Sequence, residues 1–200
     1  MKALKINNEK FRVIITQMVR LVKDGEEVRM SKRKGEYSTL EELVKEIGLD
    51  ATRFFFLMYS SDTHMNFDLD LAKEKSAKNP VYYVQYAAVR CQSIIRNSKQ
   101  IPNPKSQNLK LLTTIEDLNL MRMLAKFSEE IMKAAGNYSP QAIVRYSINL
   151  AKEFNNFYEK ERVVVKNEKL ASARLALAQA TLIVFQNIFS ILGISLPEKM

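Results

Sequence analysis

NPVYYVQYAAVRCQSIIRNS, residues 79–98, is the stretch whose reading decides the fold. Asn79 is a good helix cap, and Pro80 fits the first helical position, where its missing N–H costs nothing. The stretch predicts a long helix from 80 to about 98. Three more helices follow from the same kind of signal. One starts near Thr114, where TIED is a capping box, and ends at Gly136. The next starts at Ser139-Pro140, again a cap with Pro at the first position, and runs to about Tyr158. The last spans about Glu168 to Leu192 with Gly193 as its left-handed stop. In it Leu175, Leu182, Phe185, Phe189 and Leu192 recur at helical spacing among alanines, which predicts a largely buried helix. Residues 99–110 hold two of the five prolines and read as a loop. Residues 80–193 therefore predict a four-helix bundle.

Before residue 79 the pattern changes. Residues 11–21 (FRVIITQMVRL) are rich in β-branched side chains and could pair with 28–30, with Asp24-Gly25 as the turn of a hairpin. Thr39-Leu40-Glu41-Glu42 is a capping box for a short helix that runs to Ile47 and ends at Gly48. Asp50 can cap a second helix, ATRFFFLMYS, whose Phe54, Phe55 and Phe56 mark it as a core element. Met65, Phe67, Leu69 and Leu71 alternate with polar residues, an extended stretch that runs into a helix. The expected fold class is mainly α, a C-terminal helical bundle preceded by a small α/β unit.

Composition narrows the function. The 200 residues are 46% hydrophobic and 26% charged, which is ordinary globular composition. One Cys excludes an internal disulfide and a Cys-based zinc site, and one His argues against a His-based metal centre, so no metal is expected. No apolar run is read as long enough to span a bilayer and no leader opens the chain, so a cytoplasmic protein without a membrane partner is expected. Lys and Arg number 31 against 22 Asp and Glu, a net charge of +9. Residues 79–200 hold +7 of it and residues 1–78 only +2. A surplus on the helical part points to an anionic partner, with nucleic acid the first candidate.

Two segments carry chemistry. Arg29-Met30-Ser31-Lys32-Arg33-Lys34-Gly35 places four cationic side chains within residues 29–34, beside a glycine and after a hairpin. Such a loop can close over phosphates, and a lysine in it can offset charge that grows during phosphoryl or nucleotidyl transfer. A solvated basic loop is the plain alternative. The second segment is Tyr82-Tyr83-Val84-Gln85-Tyr86 with Arg90. It offers aromatic faces and hydrogen-bonding arms, the means by which single-stranded RNA loops are read. Each stacked base is worth roughly 1–3 kcal/mol. The plain alternative there is that Tyr82 and Tyr86, four apart, are core with their hydroxyls at the rim. His64 reads as a hydrogen-bonded junction residue, Cys91 as buried and inert, and the nine methionines as core.

These segments carry a family resemblance. MSKRKG resembles the Lys-Met-Ser-Lys-Ser loop of class I aminoacyl-tRNA synthetases. QMVRLVKDGEEVRMSKRKGEYSTLEELVKEIGLDATRFFFL, DTHMNFDLDLAKEKSAKNPVYYVQYAAVR and the terminal ISLPEKM resemble arginyl-tRNA synthetases, over nearly the whole chain. The resemblance implies that residues 1–78 are the tail of a Rossmann-type catalytic domain with a connecting region from about 60. It implies that residues 79–200 are a helical anticodon-binding domain. Lys32 then matches the second loop lysine, which assists ATP activation of the amino acid. Met30 and Ser31 match the loop backbone, and Gly35 the residue that lets it bend. Arg29 stands where the first lysine is usual, keeping charge but changing donor geometry.

On the RNA side the resemblance assigns Tyr83, Gln85, Tyr86 and Arg90 to support of the anticodon loop, with Ala88 where the family usually has His. Phe154-Asn155-Asn156-Phe157-Tyr158 resembles the family's Phe-His-x-Phe-Tyr. Asn155 takes the His place, and Tyr158 matches a residue near the anticodon bases. Met200 matches a habitual terminal Met. The implied cofactor of the full-length enzyme is ATP with Mg2+. The implied partners are arginine and an arginine-accepting tRNA, and the protein is expected to be a monomer. The His-Ile-Gly-His motif and the arginine pocket lie upstream in such enzymes and are missing here. The expected function is therefore the C-terminal part of an arginine–tRNA ligase, inactive alone. A freestanding RNA-binding module and a helical interaction protein are the alternatives.

Overall fold

The computed structural model describes residues 12–28, 39–98, 101 and 109–200. Its first part is a small three-stranded sheet with helices. Strand β1 (Val19–Lys23) pairs antiparallel with β2 (Glu26–Glu27), in the register Val22↔Glu27. The turn between them has Asp24 at φ 53° and Gly25 at φ 78°. Two positive φ values match the right-handed twist of the strands. The hairpin is tighter than expected. Residues 12–18 join no strand among the described residues, and Val13 and Ile15 are 65% and 79% exposed. The described partner strand is Glu26–Glu27, and Val28 N continues the pairing by donating to Leu21 O at 2.8 Å; residues 29 and 30 lie outside the described residues.

Helix α1 (Leu40–Ile47) starts on a complete capping box. The Thr39 hydroxyl accepts from the Glu42 amide at 3.1 Å, and the Glu42 carboxylate accepts from the Thr39 amide at 2.8 Å. Gly48, at φ 86°, ends α1 and at once begins α2 (Leu49–Met58). Asp50 is therefore not the cap of α2: the helix begins one residue before it, and its carboxylate is engaged elsewhere. Strand β3 (Met65–Asp68) then pairs parallel with β1, Val19↔Met65 through Val22↔Asp68. The short α3 (Leu69–Lys73) is capped by Asp68, whose carboxylate accepts from Leu71 N at 2.9 Å. Exposed His64 stands at the junction before β3, and no described hydrogen bond uses its ring.

Among the described residues the helical part holds five α-helices, not four. Helix α4 (Pro80–Asn97) has the expected Asn79 cap and Pro80 start. The stretch expected as one helix is two, α5 (Ile115–Ala125) and α6 (Phe127–Asn137). The break at Lys126 involves neither Pro nor Gly. The Tyr146 hydroxyl donates to the Met123 carbonyl at 2.8 Å, and the Lys126 amide is shared between the Arg122 and Met123 carbonyls, both at 3.3 Å. A side chain inserted into the ladder bends a helix there. α6 also runs one residue past Gly136, and the left-handed stop is Tyr138 at φ 52°. Helix α7 (Pro140–Lys160) has Pro at its start, but the Ser139 side chain makes no cap bond. Helix α8 (Glu168–Leu192) begins on Asn167 and ends on Gly193 at φ 65°.

Helix α7 is the hub, packing against α2, α4, α5, α6 and α8. Phe54, Phe67, Phe154, Phe157, Phe185 and Phe189 are almost wholly buried in one cluster that runs from β1 to the segment after α8. By length and composition α8 could cross a bilayer, contrary to the expectation that no run is long enough. Half of its most apolar window is nevertheless buried inside the protein. It also carries a buried Arg174, and a helix buried on most sides is apolar most of the way round.

Candidate nucleic-acid interface

Arg90 on α4 is the centre of the site. Its Nη1 donates to the Asn155 Oδ1 on α7 at 3.0 Å. Its guanidinium lies 4.5 Å from the Tyr86 ring centroid and 4.8 Å from that of Tyr158. Tyr86 in turn stacks on Tyr82, centroids 6.0 Å apart and planes 10° from parallel. The result is a column of four flat groups, Tyr82, Tyr86, Arg90 and Tyr158. The helix explains half of it: positions 82, 86 and 90 are one turn apart on one face. The packing of α7 on α4 supplies the other half. Buried Asn155 is the anchor, because a fixed acceptor holds the guanidinium edge-on and leaves its faces to the two rings.

The column borders an open groove of about 640 Å³, lined among others by Tyr86, Arg90, Ser98, Tyr158, Arg162 and Met200. Tyr158 and Met200 are both 43% exposed there. The Ser98 hydroxyl is buried and has no hydrogen-bond partner among the described residues. One wall is the segment after α7, and a buried ion cluster sets it. Arg174 Nη1 donates to the Arg162 carbonyl at 3.0 Å, Nη2 pairs with Glu161, and Nε lies 3.4 Å from the Asp117 carboxylate. Flat cationic and aromatic faces beside an unfilled groove suit an unstacked base, with guanidinium N–H groups left for its edge or phosphate.

Of the seven residues expected to meet RNA, Tyr86, Arg90, Tyr158 and Met200 share this groove, and Asn155 stands behind Arg90. Tyr83 is half-buried against the core. Gln85 is buried, and its amide N–H groups go to the Asp50 carboxylate at 2.9 Å and the Ser195 carbonyl at 3.0 Å. Both residues lie off the groove. Sequence reasoning missed Arg162, whose only signal was the basic surplus, and Arg174, hidden in an alanine-rich helix. Met30, Ser31, Lys32 and Gly35, with Arg29, lie outside the described residues. The flanking anchors are in place: Val28 N donates to Leu21 O at 2.8 Å, and Thr39 begins α1. Burial pushes the Cys91 thiol well above its ordinary range, which leaves it a poor nucleophile. No cluster able to hold a metal ion occurs among the described residues.

The chain is similar to known proteins. Residues 84–200 match the DALR anticodon binding domain model. The whole chain is 48% identical over 204 residues to an arginine–tRNA ligase of Carboxydothermus hydrogenoformans, of which it covers 37%. It is 46% identical to one of Desulforamulus reducens, covering 36% of it. It thus spans little more than a third of these relatives' length. A Campylobacter jejuni protein assigned as an arginyl-tRNA synthetase superposes on the full chain with a TM-score of 0.82 at 29% identity, over 43% of its own length.

Proposed function

The chain belongs to the DALR anticodon-binding domain family, and from that premise we propose that it is the C-terminal part of an arginine–tRNA ligase. Such an enzyme joins arginine to its tRNA at the expense of ATP. The single observation that carries this reading is the groove that gathers Tyr86, Arg90, Tyr158 and Met200 from three parts of the chain. A base splayed from a tRNA loop stacks on a tyrosine face, Met200 gives it a soft apolar edge, and Arg90 binds the phosphate or the base edge. Because Arg90 is already held by Asn155, little side-chain entropy is lost on binding.

On this reading residues 79–200 form the anticodon-binding unit and residues 1–78 the tail of a Rossmann-type catalytic domain. Met30, Ser31, Lys32 and Gly35 belong to the loop on the ATP side. ATP with Mg2+ would supply the activated phosphorus for the amino acid, and the positive charge of Lys32 would offset negative charge that grows on the phosphates. The partners are arginine and an arginine-accepting tRNA, and the protein acts as a monomer in the cytoplasm.

Titration of arginine tRNA into the 200-residue chain at increasing salt tests the reading. We expect tight binding at low salt that falls steeply, since each neutralised phosphate releases counterions. A weak, flat response overturns it. The chain alone should show no arginine-dependent ATP–pyrophosphate exchange, and exchange activity would refute its being only a part of the catalyst.

A further inference from the structure

Helix α2 carries two polar side chains that the RNA reading leaves unused, and both reach the end of the chain. Arg53 Nε donates to the Leu192 carbonyl at 3.0 Å, the last turn of α8. Its guanidinium also fills the space beside Gly193, where a Cβ would meet Arg53 Nη2 at 2.6 Å. Asp50 Oδ1 accepts from Ser195 N at 3.1 Å, and Oδ2 accepts from the Ser195 hydroxyl and from Gln85 Nε2 at 2.9 Å. Gln85 closes the ring by donating to the Ser195 carbonyl at 3.0 Å. Ser195 is thus gripped through its amide, its carbonyl and its hydroxyl, by residues 110 and 145 positions away in sequence.

Five residues beyond Ser195 is Met200, at the groove. The segment between has no helix or strand of its own. Just before Ser195, Ile194 is buried and its amide donates to the Phe189 carbonyl at 3.0 Å; beyond Ser195, Leu196 packs against the core and no described hydrogen bond holds the segment. A segment with so few ties loses conformational freedom when a ligand orders it, and that loss weakens binding.

We propose that Asp50, Gln85 and Arg53 are positioning residues for Met200: their grip on residues 192–195 sets the terminal segment at the groove before RNA arrives. The proposal deepens the RNA reading and rests on it. It also gives Gln85 a role that its burial allows, and it makes α2 a structural partner of the RNA groove.

Asp50→Asn in the 200-residue chain, with an arginine-tRNA anticodon stem-loop as the probe, is the test. The amide keeps the side chain's size but cannot accept from Ser195 and Gln85 as the carboxylate does. We expect roughly threefold to tenfold weaker binding, the scale of one pre-ordered segment. In a chain lacking Met200 the same substitution should have no further effect. Additive losses would mean that Asp50 does not act through Met200, and would overturn the proposal. A second readout is the Met200 methyl resonance. It should stand apart from that of a free terminal methionine in the parent chain and move toward it in Asp50→Asn. A methyl signal unmoved by the substitution overturns the proposal whether or not RNA binds. Failure of the parent chain to bind RNA overturns the RNA reading instead, and the methyl spectrum then decides the grip alone. Should Asp50→Asn not fold, Gln85→Met removes two of the bonds and is read by the same comparisons.

Discussion

Arg90, Tyr86, Tyr158 and Asn155 divide one task among four side chains. The rings supply faces, the guanidinium supplies charge and planarity, and the amide keeps the guanidinium from turning away. Tyr158 has the most exposed ring of the column, so its removal should cost binding rather than folding. Tyr158→Ala is expected to weaken stem-loop binding by about 1–3 kcal/mol, the worth of one stacked base. Its melting temperature should stay close to that of the parent chain, as for most exposed positions. Fluorescence anisotropy and a circular-dichroism melt check the pair, and unchanged affinity removes Tyr158 from the site. The spacing of Tyr82, Tyr86 and Arg90 was legible because one helical turn sets it. The same turn sets Gln85 apart. It adjoins Tyr86 in sequence but sits about 100° away around the helix, facing α2 and the terminal segment. The Asn155–Arg90 bond was not legible at all, because its partners are 65 residues apart.

Among the elements, α7 does the most organising, since it carries Asn155 and Tyr158 and touches every other long helix. Its last turn is tied to α5 by Lys160 and Glu116, 2.7 Å apart. The hydrogen bond from Lys160 holds the Glu116 carboxyl below its ordinary value of 4.5. A carboxyl lowered by folding contributes stability that is present above 4.5 and lost as pH falls through the lower folded value. Glu116→Gln should therefore lower the urea midpoint near neutral pH, and the gap to the parent should close as pH is taken well below 4.5. A gap of the same size in acid would rule out this pair as its source. The broken helix at Lys126 belongs to the same scale. Nothing local announces it, because the cause is the Tyr146 hydroxyl from a neighbouring helix. The run from Val13 to Met18 shows the converse, β propensity with no partner strand among the described residues.

Across the whole molecule, Arg174 on α8 joins α5, through Asp117, to the groove wall after α7, through Glu161 and Arg162. Its side chain is 6% exposed, and Asp117 beside it is wholly buried. Arg174→Met would leave the Asp117 and Glu161 carboxylates without their cation, a change that costs about 3–5 kcal/mol. For a chain of this size that is roughly 6–20 °C in melting temperature. Adding Asp117→Asn and Glu161→Gln should recover much of the loss, since no uncompensated charge then remains. Calorimetry on the single and triple variants decides it, and an unaltered melt of the single variant would refute the cluster's role. The sequence by itself determined where most helices start and stop. Thr39, Asn79, Thr114, Asn167 and Gly193 act through bonds within a few residues, and Asp24-Gly25 turns the hairpin by its own backbone preference. It also determined the basic surplus, which needs no fold to exist. Only the tertiary structure decided which tyrosines face the groove, what holds Arg90, and why Asp50 binds Ser195 rather than its own helix. Those bonds join residues 65 to 145 positions apart, and such distances close only when the angle at which helices pack is already set.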